Sequence, residues 1–431
     1  MKINNLKIKN FRCFENLNIS LQSDYTVLIG INGSGKSSIL DSISIALGSY
    51  LTGYDKIKAN GIHADDAHYK MYEMGSNIER QGQYPVEVYV DANVDNQEMS
   101  WKRTLNGEGR RTTYGDAKNI IAYAQQLQSK VRAGDKNCIL PIIAYYGTGI
   151  LWMQKKEKRI IIGKNKKTET SRISGYIDCL DVASNEKLMM KWFEKMTYIQ
   201  LQDGEMVPEL EAVKKAMKQC FMSSDENILD AKFSFDVKSN EIEILIFKKN
   251  GIKEKLPMKS LSDGIKGAVS MIADIAYRMA MLNPHLFDNV LQTPGVVLID
   301  EVDIHLHPAW QKKIVSDLVS TFPNVQFVVT THSPSVIANV PKEHILILDN
   351  YEVHLPQNTT YGRDVSAILR EIMYADVRPK EVSEMIKKFY DAIDEDDIEQ
   401  AKKLLDNMKT ILGDLDSEVV QAQVYLDVQE V

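Results

Sequence analysis

The sequence predicts an α/β fold on a mixed, mostly parallel sheet. Three observations carry that prediction. Short apolar runs recur at 25–29 (YTVLI), 296–299 (VVLI) and 325–329 (VQFVV), as strands buried on both faces require. Segments with apolar residues at three- and four-residue spacing alternate with them. A glycine-rich turn at 30–37 joins the first of these strands to the helix that follows.

Taken in order, 3–8, 17–21 and 25–29 read as strands and 38–47 as a helix. Residues 52–80 have weak periodicity. PVEVYVDANV (85–94) and EMSWKRTL (98–105) alternate and form a hairpin around DNQ. Residues 114–133 are helical, and CILPIIAYYG (138–147) holds a buried strand. From 182 to 221 the spacing of Leu188, Trp192, Met196, Leu210, Val213 and Met217 predicts a helical insertion. Residues 232–251 read as a hairpin turning at Ser239-Asn240, and 262–282 as a helix. One helix is expected over 310–320, strands at 325–332 and 344–350, and an acidic helical region from 364 onward.

The chain has 431 residues, room for two to four domains at roughly 100–200 residues each. With 44% hydrophobic and 26% charged residues, disorder of the whole chain is excluded. Four cysteines without a CxxC pair read as reduced thiols, not a disulfide framework. No apolar run approaches the ~18 residues that span a bilayer. The start, MKINNLKIKNFRCF, lacks the apolar core of a signal peptide. A cytoplasmic protein without membrane contact is expected. With 52 basic and 59 acidic residues the net charge is −7, so DNA contact is left to a local basic patch.

Four motifs carry chemistry. Residues 30–37, Gly30-Ile31-Asn32-Gly33-Ser34-Gly35-Lys36-Ser37, match GxxxxGK[ST] between a predicted strand and a predicted helix. The glycines let backbone N–H groups turn toward phosphate oxygens, and the helix start adds a positive dipole end. Lys36 reaches the β- and γ-phosphates of a nucleoside triphosphate, and the Ser37 hydroxyl ligates Mg²⁺. Ser38 completes the loop. Asp300 and Glu301 end the run VVLI at the carboxyl edge of a strand, where open α/β sheets bind ligands. Asp300 is placed to hold Mg²⁺ and Glu301 to polarise the attacking water. Leu261-Ser262-Asp263-Gly264 precedes a helix, which suits either an anion-binding end or a plain N-cap. His332 follows the strand at 325–329, where it can hydrogen-bond a γ-phosphate.

In this order the four motifs resemble the ABC-type ATPase head, a P-loop NTPase: Walker A, signature, Walker B with its glutamate, and switch histidine. The opening INNLKIKNFRCFENLNISL is similar to the N-terminal strands of the SMC/RecF-like branch. DEVDIHLHP resembles the RecF-like and OLD versions of the D-loop, with His305 and His307 in it. The resemblance implies ATP and Mg²⁺ as cofactors, Arg12 and His305 as nucleotide contacts, and Gln154 as the Q-loop metal ligand. It also implies that Leu261 to Gly264 of one copy cap the ATP held by another. A zinc site at His305 and His307 is the alternative, without a visible third ligand. Asp263 stands where many members have glycine, and His307 where the family has aspartate. No long heptad arm or TOPRIM-like acidic cluster is present, which argues against a true SMC protein and an OLD nuclease.

PIIAYYGTGILW (141–152), RISGYIDCL (172–180) and YGRDVSAILREIMYADVRP (361–379) resemble the PtuA family of Septu anti-phage systems and its retron-associated relatives. That resemblance implies a defence ATPase that forms homo-dimers or higher oligomers with an HNH-type nuclease partner, PtuB. A RecF-like repair ATPase and a stand-alone nucleotide sensor are the alternatives.

The expected organisation is an ATPase head over 1–350, with a basic loop at about 153–170 and the helical insertion at about 182–225. A helical oligomer- or partner-binding region follows over 351–431. The run 155–168 carries seven cationic residues and one acidic residue, a solvated loop or a phosphate-backbone contact. Residues 394–397 (DEDD) read as an acidic first helical turn.

Overall fold

A computed structural model describes residues 1–75, 77–148, 171–181, 186–223 and 225–429. The basic run at 153–170 lies outside them. The chain forms two compact units, Met1–Arg363 and Asp364–Val431.

The first unit begins with three strands, β1 (Lys2–Phe11), β2 (Phe14–Ser20) and β3 (Tyr25–Gly30), and a helix, α1 (Lys36–Leu51). β4 (Tyr69–Met74) and β5 (Asn77–Gly82) form a two-stranded ribbon. Most of its side chains are exposed, which explains why no burial period marks it in sequence. β6 (Val86–Val94) and β7 (Gln97–Leu105) form the expected hairpin, with Asp95 and Asn96 both at positive φ in the turn. Together they make an antiparallel sheet of order β2-β1-β6-β7.

α2 (Lys118–Arg132) leads to β8 (Ile142–Tyr146). The helical insertion is α3 (Glu186–Asp203) and α4 (Pro208–Met222). β9 (Ile228–Asp236) and β10 (Glu241–Lys248) form a hairpin, which gains an unexpected third strand, β11 (Lys253–Pro257). KEKLP is too charged to read as a strand, yet lysines suit an edge, where they discourage further pairing. α5 (Asp263–Leu282) then precedes β12 (Gly295–Ile299).

The region expected as one helix over 310–320 is two, α6 (Pro308–Gln311) and α7 (Ile314–Thr321). The N–H groups of Trp310 and Gln311 converge on the His307 carbonyl, closing a tight first turn, and a new ladder starts at Lys313. β13 (Val325–Thr330), α8 (Pro334–Ile337), β14 (Ile345–Asp349) and β15 (Glu352–His354) complete this unit.

The second sheet has the order β15-β14-β3-β13-β12-β8. All its pairs are parallel except β14 with β15. Burial of both faces explains the continuous apolar runs: every residue of β8, β12 and β13 is buried. α1 packs against both sheets. It is therefore buried almost all round, and even Ser42, Ser44 and Ser49 face the interior. Trp101 of β7 donates its indole N–H to the Ala46 carbonyl at 2.9 Å, tying helix to sheet.

The second unit holds α9 (Val365–Glu371), α10 (Lys380–Asp394), α11 (Ile398–Leu412) and α12 (Ser417–Gln429). Phe389, Leu405, Met408 and Leu426 centre its own core. The acidic cluster is split. Asp394 ends α10, and Asp397 caps α11 by accepting from the Gln400 N–H at 3.0 Å. It fills an inter-helix turn instead of a single first turn.

Candidate functional site

The site forms where β3, β12 and β13 end at one edge of the parallel sheet. Gly30 turns the chain out of β3 at φ 150, and a Cβ there would lie 2.4 Å from the Leu348 carbonyl oxygen. Gly35 sits at φ 103 as the N-cap of α1. Its close neighbours are Cys13 and Phe14, at 2.7 and 2.5 Å from an added Cβ. Only glycine fits such positive-φ, close-packed backbone. Among the described residues no side chain caps α1, so its first-turn N–H groups stay available to an anion. Asn32 and Gly33 are exposed at the loop tip, and Ser34 is buried with no hydrogen-bond partner for its hydroxyl among the described residues.

Lys36 lies with a buried stem, and its Nζ donates to the carbonyls of Gly30 and Ile31, each at 2.9 Å. Burial lowers its pKa, against the raising pull of Asp300 and Glu301. Ser37 Oγ donates to Asp300 Oδ2 at 2.8 Å. The two residues are 263 positions apart in the chain. A hydroxyl and a carboxylate, solvent-accessible and in contact, are a hard oxygen donor set of the kind Mg²⁺ takes.

Asp300 and Glu301 are held by Thr330, which opens the motif Thr330-Thr331-His332-Ser333 and to which the motif reading gives no role of its own. Thr330, fully buried at the end of β13, donates Oγ1 to Asp300 Oδ1 at 2.6 Å. The same oxygen accepts the Glu301 N–H at 2.7 Å. Glu301 itself stands at φ 54, a strained backbone for a non-glycine residue. His332 lies two residues beyond Thr330. Burial lowers its pKa most, Lys36 adds to that, and Glu301, Asp303 and Asp300 oppose it. It is thus held neutral, within electrostatic reach of both Lys36 and Glu301.

Ser262 and Asp263 are exposed at the start of α5. Ser262 is its N-cap, without a side-chain capping bond among the described residues. Lys266 donates to Asp263 Oδ1 at 3.0 Å, which offsets the acid that replaces glycine. Leu261 is half-buried behind them. Gly264 is buried against the 302–307 loop, where a Cβ would fall 2.1 Å from the His305 carbonyl oxygen. His305 is exposed at φ 60. His307 Nδ1 accepts the Ala309 N–H at 3.3 Å as the cap of α6. No group of three or more His, Cys, Asp or Glu among the described residues is arranged to hold a metal.

Arg12 is clamped between two carboxylates. Its Nη1 meets Asp41 Oδ2 at 2.5 Å and its Nε meets Asp66 Oδ1 at 2.9 Å. Asp41 sits one turn inside α1, so Arg12 braces the phosphate loop's helix. A periodic sequence reading has no signal for that pairing. Gln154 lies outside the described residues.

The sheet order, the glycine turn before α1 and the paired acids ending β12 define a P-loop ATPase head of the ABC type. The chain belongs to the AAA domain family, whose model matches residues 5–258. It is 28% identical to the retron Vc95 probable ATPase of Vibrio cholerae serotype O1 biovar El Tor, over 90% of this chain and 83% of that protein. It is 25% identical to the retron Ec83 probable ATPase of Escherichia coli, over 88% and 78%. The Septu protein PtuA of Bacillus thuringiensis is 30% identical over 48% of this chain and 54% of its own length. These relatives bear out the resemblance drawn from the sequence. No described helix is long and apolar enough to cross a membrane.

Proposed function

We propose that this chain is the ATP-binding and ATP-hydrolysing subunit of a cytoplasmic bacterial anti-phage defence complex. The contact of Ser37 with Asp300 carries the reading, because it joins the phosphate loop to the acids of β12 at one opening. Lys36 leaves the Gly30 and Ile31 carbonyls for the β- and γ-phosphates. Glu301, its backbone fixed by Thr330, polarises the water that attacks the γ-phosphorus. His332, neutral and near Lys36, donates a hydrogen bond to the γ-phosphate as it leaves to give ADP and phosphate. Ser37 and Asp300, with Gln154 as a further ligand, would hold Mg²⁺, which would neutralise phosphate charge.

Two copies close on ATP, with Ser262, Asp263 and Gly264 of each facing the other's triphosphate. The exposure of Ser262 and Asp263 supports that trans role. Nucleotide buried between copies gives the closed state a differential affinity, which is what couples ATP to a switch. The head region, expected over 1–350, extends to the end of the first unit at Arg363, because β15 pairs with β14 in its sheet, and the helical region beyond it carries oligomer or partner contacts. The retron and Septu relatives support the defence setting; the partner proposed for this chain to regulate is an HNH nuclease.

Phosphate release and ATP binding test this. Lys36→Ala should lose ATP binding, and Glu301→Gln should keep binding, lose turnover and trap the dimer. An unmodified chain that releases no phosphate from ATP, or a Lys36→Ala variant that matches it, sinks the proposal. Recovery of an HNH nuclease with the tagged chain from its own host tests the partner.

A further inference from the structure

The segment 141–152, on which part of the family resemblance rests, contains AYYG at 144–147. The chemistry above uses none of it. β8 ends in two adjacent tyrosines, Tyr145 and Tyr146, only 4% and 3% exposed. Neighbours in a strand point to opposite faces of the sheet. These two therefore reach different layers.

Tyr145 donates its hydroxyl to Asp41 Oδ1 of α1 at 2.9 Å. The other oxygen of that carboxylate holds Arg12, which in turn holds Asp66. Tyr146 donates to Asp274 Oδ2 of α5 at 2.8 Å. Arg278 donates to the same oxygen at 2.7 Å and to the carbonyls of Gly175 and Ile177, each at 3.0 Å. The Tyr146 backbone carbonyl accepts the Asp300 N–H at 2.7 Å. One dipeptide thus contacts the helix of the phosphate loop, the helix that begins at Ser262–Gly264, and the metal-side acid of β12.

Phenylalanine would fill the same space without a polar atom to satisfy. A buried hydroxyl is tolerated only when bonded, and here each is bonded to a different carboxylate. Burial raises both phenol pKa values, so both remain donors at neutral pH.

We propose that Tyr145 and Tyr146 are positioning residues that lock α1 and α5 to one strand end, so that the ATP-holding and ATP-capping sides of a copy move together. This rests on the ATPase reading above. The two hydroxyls have separable roles. Tyr145 sets how α1 and Arg12 present the phosphate loop, which is felt in ATP affinity. Tyr146 sets the pose of α5, which is felt once the partner's nucleotide is capped, in turnover.

The test is a KM-against-kcat comparison on the full chain, with binding of a fluorescent, slowly hydrolysed ATP analogue measured alongside. Tyr145→Phe should raise KM and Kd about fivefold with kcat little changed. Tyr146→Phe should lower kcat about tenfold with Kd within about twofold. Asp274→Asn should give the same kcat loss, and combining it with Tyr146→Phe should add little further loss. It also serves as the readout if Tyr146→Phe does not fold. Variants that only melt earlier, with KM and kcat as in the unmodified chain, would overturn the inference. So would equal shifts of KM and kcat in both variants. An unmodified chain without hydrolysis would instead refute the ATPase reading, so the two failures are distinguishable.

Discussion

Thr330→Val removes one oxygen from the seam between β12 and β13 and changes little else. Valine keeps the branched shape, so no cavity opens. Two bonds disappear: the 2.6 Å donation to Asp300 and the 2.7 Å acceptance from the Glu301 N–H. The first is a bond to a charged group, about 1.5–3 kcal/mol, and the second a neutral one, about 1 kcal/mol. Thr330 itself is fully buried, so the valine methyl and not water takes the place of its hydroxyl. Together the loss should be about 2.5–4 kcal/mol of stability. All four tryptophans precede residue 364, so their fluorescence in a urea titration follows the first unit alone. The midpoint should fall at constant m-value. Thr330→Ser keeps the hydroxyl and loses one methyl group, about 1 kcal/mol. If valine cost less than about 1 kcal/mol, or serine cost more than valine, packing would outweigh the hydrogen bonds and the reasoning would be wrong.

Gly264→Ala should displace the 302–307 loop, because the new Cβ would lie 2.1 Å from the His305 carbonyl oxygen. ATP hydrolysis should fall steeply while far-ultraviolet circular dichroism stays unchanged; activity within about twofold of the unmodified chain would contradict the placement. Gly33→Ala has open space, so only its φ of 82 is strained; its stability cost should be near 1–2 kcal/mol. His332 gives a pH signature. Its folded pKa lies below the ordinary 6.5, through burial and Lys36, so the unfolded chain binds the proton more readily. Stability from this group is present above pH 6.5 and is lost as pH falls through 6.5 toward the lower folded value. Subtracting the stability–pH curve of His332→Gln from that of the unmodified chain isolates it. A difference curve that stays level through that window, or slopes the other way, would refute the placement.

What sequence patterning reveals here depends on how local the cause is. GINGSGKS is eight consecutive residues whose glycines, lysine and serine act through their own backbone turn. It is legible without any fold. VVLIDE is legible for the same reason, since burial on both faces leaves a continuous apolar run. The exposed ribbon β4–β5 and the charged edge strand β11 are not, because neither buries a periodic face. Arg12 is expected as a nucleotide contact only through the family resemblance. Its pairing with Asp41 and Asp66, 29 and 54 residues away, has no trace in spacing. Thr330 reads as the polar end of a strand, and Tyr145 and Tyr146 as part of a buried one.

The chain's own chemistry thus determined the α/β class, the phosphate loop and the acids after β12, because each is written in neighbouring residues. Which hydroxyl meets which carboxylate was decided by the packing of α1 and α5 onto the two faces of one sheet. Ser37 reaches Asp300 across 263 positions, and Tyr146 reaches Asp274 across 128. Contacts that distant are set by strand order and register, which become definite only when the sheet is assembled.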